Sequence, residues 1–178
     1  MGSLDLVWKR VAVGAGAVLI SVAGCGSGGN PTATPGPVAP APPAAIGRCG
    51  SVGDAQIAQA TGLSGLQQVS VDPLRCAWET GAGNDYAVVF QWFRGTPLAD
   101  RRTQVTLGTP ASVQVAGHAG IRHAGILWSG PHACELAVGS GGEDFIDWIL
   151  TASGRSAARP HACSDLETLA ATTLAKAG

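Results

Sequence analysis

The chain has 178 residues, 46% hydrophobic and 13% charged, with 11 Lys and Arg against 12 Asp and Glu and a net charge of −1. That length suits one domain. The balanced charge argues against a nucleic-acid binder, which needs a basic face, and no apolar run reaches the ~18 residues of a spanning helix, which excludes a multi-pass helical membrane protein.

Residues 1–24 read as a lipoprotein signal peptide that is cleaved. Lys9 and Arg10 give the positive start, and Val11 to Ala23 is an uncharged, mostly apolar run. It is too short to span ~30 Å of hydrocarbon but suits a signal core. The run ends in Val22-Ala23-Gly24-Cys25, the pattern of a bacterial lipobox. Small residues before Cys25 let a peptidase reach the backbone. The Cys25 sulfur takes diacylglycerol, and the freed α-amino group takes a further acyl chain. Two or three chains on one residue suffice for stable anchoring. Cys25 is therefore the expected lipidation site, N-acyl and S-diacylglycerol (palmitate among the acyl groups), and the cell membrane the expected location, on its extracytoplasmic face.

Residues 25–47 hold the lipidated Cys and a Pro/Gly/Ala-rich tether. From residue 26 on there is no charged or aromatic residue before Arg48, and Pro31, Pro35, Pro37, Pro40, Pro42 and Pro43 favour an extended chain. Thr32 and Thr34 beside prolines are compatible with O-linked sugar. Cleavage removes Lys9, Arg10 and Asp5, leaving 9 basic against 11 acidic residues and a charge of −2.

Residues 48–178 are long enough to bury a core. Ser51 to Thr61 predicts a short helix stopped by Gly62. Cys76 to Glu79 predicts a short strand. Tyr86 to Arg94, apolar on both faces, predicts a central strand. Thr96-Pro97 opens a helical turn through Val105. Val113 and Val115 mark a half-buried strand, Gly117 with Gly120 a turn, and Ile121 to Ala124 a further strand. Cys134, Leu136 and Val138 alternate with Glu135. After a turn at Gly139 to Gly142, Asp144 to Ala152 predicts a strand with Ile146, Trp148 and Leu150 inward and Asp147 outward. Ser164 and Glu167 suggest a capping box for a last helix with Leu166, Leu169, Ala170 and Leu174 as its apolar stripe. The fold class expected is α+β: an antiparallel sheet covered on one face, with an N-terminal helix, a middle helical turn and a C-terminal helix packed on it.

Four cysteines remain: Cys49, Cys76, Cys134 and Cys163. An even number in an exported domain implies disulfides. Three connectivities are open, and the sequence does not choose among them. The expected pairs are Cys49–Cys76 and Cys134–Cys163. Pro-His-Ala-Cys occurs twice, at Pro131–Cys134 and Pro160–Cys163. Brought together, His132, Cys134, His161 and Cys163 would offer two nitrogens and two sulfurs to zinc. The His-x-Cys spacing departs from that of zinc fingers, and exported thiols oxidise first. A disulfide flanked by solvent histidines, with no metal and no cofactor, is the expectation.

No motif declares a reaction. There is no G-x-S-x-G, P-loop or H-E-x-x-H. His118 and His123 read as surface or edge residues. Arg94, Arg101 and Arg102 form a basic cluster suited to a phosphate or carboxylate, with a solvated helix face as the commoner reading. Glu143, Asp144 and Asp147 lack the spacing of a calcium loop. Trp78, Trp92 and Trp148 read as core, and Trp128 as a loop residue able to contact a partner.

Several segments, in order, resemble the actinobacterial (mycobacterial) lipoproteins grouped with LprB and LprC as a domain-of-unknown-function family, LprB being the closer branch. They are Val22-Ala23-Gly24-Cys25, Cys76-Ala77-Trp78, Phe90 to Pro97, Val115 to Gly120, Cys134-Glu135-Leu136, Asp144 to Trp148 and Cys163 to Leu166. The resemblance implies a membrane-anchored envelope lipoprotein. It supplies no catalytic residue, only Cys25 and the four other cysteines, and leaves the doubled Pro-His-Ala-Cys unexplained. The function expected is therefore a non-enzymatic envelope lipoprotein that binds a small ligand or a partner protein. The alternative is a hydrolase or metal-dependent envelope enzyme using His118, His123 or the two Pro-His-Ala-Cys segments.

Overall fold

A computed structural model describes residues 45–81, 85–104, 109–126, 132–153 and 159–177, with the side chains of residues 126, 132 and 133 outside that description. The signal peptide, Cys25, most of the tether, Val105, Trp128 and Pro131 lie outside the described residues.

In chain order the elements are a turn at Arg48–Ser51, α1 (Asp54–Thr61), β1 (Leu66–Val71), β2 (Arg75–Thr80), β3 (Tyr86–Phe93), α2 (Leu98–Gln104), β4 (Ala111–Val115), β5 (His118–Ile126), β6 (His132–Gly141), β7 (Asp144–Ala152) and α3 (Ala162–Lys176). The strands form one antiparallel sheet in the order β1-β2-β3-β7-β6-β5-β4. Two meanders, β1–β3 and β4–β7, meet where β3 pairs with β7. After β3 the chain must travel from the middle of the sheet to its far edge, and α2 lies on that crossing. The expected α+β class holds.

Side chains alternate across each strand, so the sheet has two faces. Cys76, Trp78, Val88, Phe90, Cys134, Leu136, Val138, Ile146, Trp148 and Leu150 share one face, and all are buried. Helices α1 and α3 cover it. Trp148 sits at the centre, 5.0 Å from the Phe90 ring and 6.1 Å from Trp78. The two fully buried indoles each reach a helix: Trp78 Nε1 donates to Asp54 Oδ1 at 2.8 Å and Trp148 Nε1 to Thr173 Oγ1 at 3.3 Å. Leu166, Leu169, Ala170 and Leu174 of α3 press onto the same face, as their spacing predicts.

The two disulfides are Cys49–Cys76 and Cys134–Cys163, with Cα atoms 5.3 and 5.4 Å apart. Both fasten a strand on the helix face to the layer above it. The bridged residues are 27 and 29 positions apart, and each bridge contributes roughly 3–4 kcal/mol by restricting the unfolded chain. With both sulfurs of the doubled tetrapeptide joined to each other, the two-nitrogen, two-sulfur zinc set does not exist.

Several expectations need correction. The first helix starts at Asp54, because Cys49, Gly50 and Ser51 have φ of 54°, 68° and 57°, left-handed values that interrupt a right-handed helix. Gly50 also needs its missing side chain: a Cβ there would lie 2.8 Å from Thr173 Oγ1 and 3.0 Å from the Phe90 ring. The last helix starts at Ala162, two residues before the expected cap. The Ser164 hydroxyl donates to the His161 carbonyl at 2.8 Å, and Glu167 accepts from Arg122 at 3.4 Å, so the capping box does not form. Ala116-Gly117 makes the β4–β5 turn, whereas Gly120 lies within β5, where a Cβ would meet the Ala137 carbonyl at 3.1 Å. β1 was not anticipated. It is a polar edge strand whose ladder slips between Gln68 and Ser70, a bulge that suits an edge. Finally, the sheet is not covered on one face alone, since α2 lies over the other.

Candidate functional site

The face opposite α1 and α3 carries the residues of chemical interest. Strands β5, β6 and β7 bring His123, Glu135 and Asp147 onto it. His123 and Glu135 are register partners, and Asp147 lies opposite Ala137, two residues along β6 and so on the same face. Helix α2 places Arg101 over them. Arg101 Nε donates to Glu135 Oε1 at 2.8 Å, with Nη2 at ion-pair distance, 2.8 Å, from the same oxygen, and Nη2 donates to Asp147 Oδ2 at 3.1 Å. The guanidinium also sits 5.6 Å above the Phe93 ring, which stacks on Phe145.

The pair is deeply placed, for Arg101 keeps only 17% of its side-chain surface and Asp147 none. Burial, reinforced by the neighbouring Glu135 charge and partly offset by Arg101, pushes the Asp147 carboxyl up to about 7. Asp147 Oδ1 and both His123 ring nitrogens are buried with no hydrogen-bond partner among the described residues. Two expectations are thereby overturned. Asp147 points to the second face but not to water, because α2 covers it. His123 is 1% exposed, so it is not a surface residue.

The basic cluster divides. Arg101 is the half-buried ion-pair partner, Arg102 donates to Ser112 Oγ at 2.7 Å, and Arg94 lies 5.0 Å from the Trp92 ring. The solvated-helix reading fails for Arg101. The acids divide as well: Asp144 accepts the Gly95 N–H at 2.8 Å, while Asp147 lies on the other face. His118 and His123 are five apart on β5 and occupy opposite faces, so they do not converge. His161 precedes α3 and is exposed. Among the described residues no group of three His, Cys, Asp or Glu side chains is placed to hold a metal ion.

Sequence reasoning missed the Arg101–Glu135–Asp147 cluster. Its signal was a charge in each of two strands whose neighbours are apolar: Glu135 between Cys134 and Leu136, and Asp147 between Ile146 and Trp148.

A separate cleft of about 330 Å³ opens where β2 begins and β3 ends, lined by Leu74, Arg75, Trp92, Phe93, Arg94 and Thr96 among others. Phe93 serves both places: it lines this cleft and lies under Arg101.

Relatives match about three quarters of the chain. The chain is 30% identical over 149 residues to the "Putative lipoprotein LprB" of Mycobacterium tuberculosis, covering 77% of this chain and 79% of that protein. The Mycobacterium bovis protein of the same name matches equally. That of Mycobacterium leprae is 28% identical over 150 residues, 76% of this chain and 77% of its own. A solved structure from Bacteroides thetaiotaomicron matches at a TM-score of 0.42 and 8% identity, over 61% of this chain and 41% of its own, and nothing is drawn from it. The family described as protein of unknown function (DUF3558) matches residues 20–176, a span that includes Cys25, the tether and both disulfides, and the chain belongs to that family.

Proposed function

We propose that this chain is a lipid-anchored lipoprotein of the cell envelope, exported by residues 1–24 and held on the extracytoplasmic face of the cell membrane through acylated Cys25. In this reading the tether presents a non-enzymatic domain that binds a small ligand or an envelope protein. The observation that carries it is the use of the cysteines. Cys49, Cys76, Cys134 and Cys163 are spent on two disulfides, which suit an oxidising compartment. The fifth, Cys25, ends a lipobox-like sequence and is left for lipid. The lipoprotein name of the mycobacterial relatives supports the same reading. The solvent-open cleft with its mixed apolar and cationic lining supports a binding role.

Metabolic labelling with a fatty-acid analogue tests the anchor. The wild-type chain takes the label and Cys25→Ala does not; a labelled Cys25→Ala chain overturns the proposal.

A further inference from the structure

The cleft between β2 and β3 has an unusual charge balance. Two guanidiniums and no acid line it. Among the described residues neither Arg75 nor Arg94 forms an ion pair. The neighbouring acids are engaged on backbone amides. Asp72 Oδ1 accepts from the N–H groups of Leu74 and Arg75 at 2.8 and 2.7 Å, and Asp144 Oδ1 accepts from Gly95. Trp92 also lines the cleft, with its Nε1–H buried and without a hydrogen-bond partner among the described residues.

The surroundings are apolar. The large hydrophobic side chains left exposed among the described residues are Val69 (53%), Val71 (42%) and Leu74 (46%). They fall within one stretch of β1 and the following turn, and Leu74 reaches the cleft itself. Trp92 and Phe93 give it aromatic walls. The volume lies at the lower end of the range for small-molecule sites.

We propose that this cleft binds an anionic amphiphile. Its phosphate or carboxylate head pairs with Arg75 and Arg94, which offer forked donors matched to either group. Its apolar part lies against Leu74 and the aromatic walls. This rests on the binding role proposed above and names the ligand class. A bilayer lipid and a free acid share this chemistry.

The test uses the full chain purified from membranes and held in phosphatidylcholine nanodiscs, with its mass read to show the lipid on Cys25. Equilibrium dialysis then compares monomeric dihexanoyl phosphatidic acid, dihexanoyl phosphatidylcholine and inorganic phosphate. The phosphatidic acid binds about ten-fold or more tightly than either of the others. Arg75→Gln and Arg94→Gln each weaken it about ten-fold with the thermal midpoint unchanged. Adding phosphatidylglycerol to the nanodisc competes with the probe if bilayer lipid is the source; a probe that stays bound points to a free acid. Equal binding of the charged and zwitterionic lipids, phosphate binding as tight as the amphiphile's, or variants that bind like wild type would each overturn the assignment. A neutral ligand recovered from the cleft would overturn it while leaving the binding role and the anchor standing.

Discussion

The face of the sheet under α1 and α3 and the face under α2 come from the same strands, one residue out of step. Phe90, Trp148 and Leu136 point one way; Glu135 and Asp147, their chain neighbours, point the other. The first face is closed by apolar contact, two indole hydrogen bonds and both disulfides. The second is closed by a short helix whose Arg101 spans two carboxylates. Apolar burial is non-directional and adds up over area. An ion pair removed from water holds only while both partners remain, because a lone buried charge is strongly unfavourable. The helix face should therefore fail by loss of volume and the α2 face by loss of a partner or a change of pH.

The largest effect tests the first half of that contrast. Trp148→Ala removes the side chain that meets Phe90, Trp78 and Thr173, and is expected to cost about 3–5 kcal/mol. Urea unfolding under oxidising conditions measures it. A cost near that of a surface substitution would mean that the helix face does not depend on its central aromatic.

Arg101→Met tests the other face. It keeps much of the contact with Phe93 but leaves Glu135 and Asp147 buried without their cation, a cost of about 3 kcal/mol near pH 8. The cost should shrink near pH 5, where Asp147 takes up a proton. A cost independent of pH would break the distinction between the faces.

The smallest effect is the most specific. Folded Asp147 releases its proton near pH 7, whereas in the unfolded chain it does so near 4. Between those values the folded state holds the extra proton, so this group's contribution falls as pH rises, by at most ~1.4 kcal/mol per pH unit. It is most favourable below about pH 4, and lost once pH passes about 7. Asp147→Asn removes the titration, and the difference between wild type and variant across this window should slope accordingly. Urea midpoints at several pH values check it. A difference that stays flat, or slopes the other way, would show that burial does not raise this carboxyl.

The residues explain what could be read in advance. The strand from Tyr86 was legible as central because both its faces are apolar, and β2 and β7 do flank it. The apolar stripe of α3 and the sequential disulfides also matched. Strand β1 was not legible: Leu66-Gln67-Gln68-Val69-Ser70-Val71 has few of the apolar residues a buried strand needs, and its ladder depends on β2 alone. Asp147 was read as outward because alternation assigns a face without saying what covers it, and His123 was read as a surface or edge residue. The cover is α2, whose seven residues carry no buried side chain to announce the packing.

What the sequence determined by itself were the features written in local order. These are the charge at Lys9 and Arg10 and the apolar run that follows, the small residues before Cys25, the prolines from Pro31 to Pro43 and the period of each long strand. Each depends on neighbours in the chain. The tertiary structure alone decided which sulfurs meet, which face α2 shields, and that Arg75 of β2 and Arg94, just past the end of β3, line the same cleft. Those depend on strand order and on the crossing from β3 to β4, and pairings between distant residues leave no periodic trace in the chain that makes them.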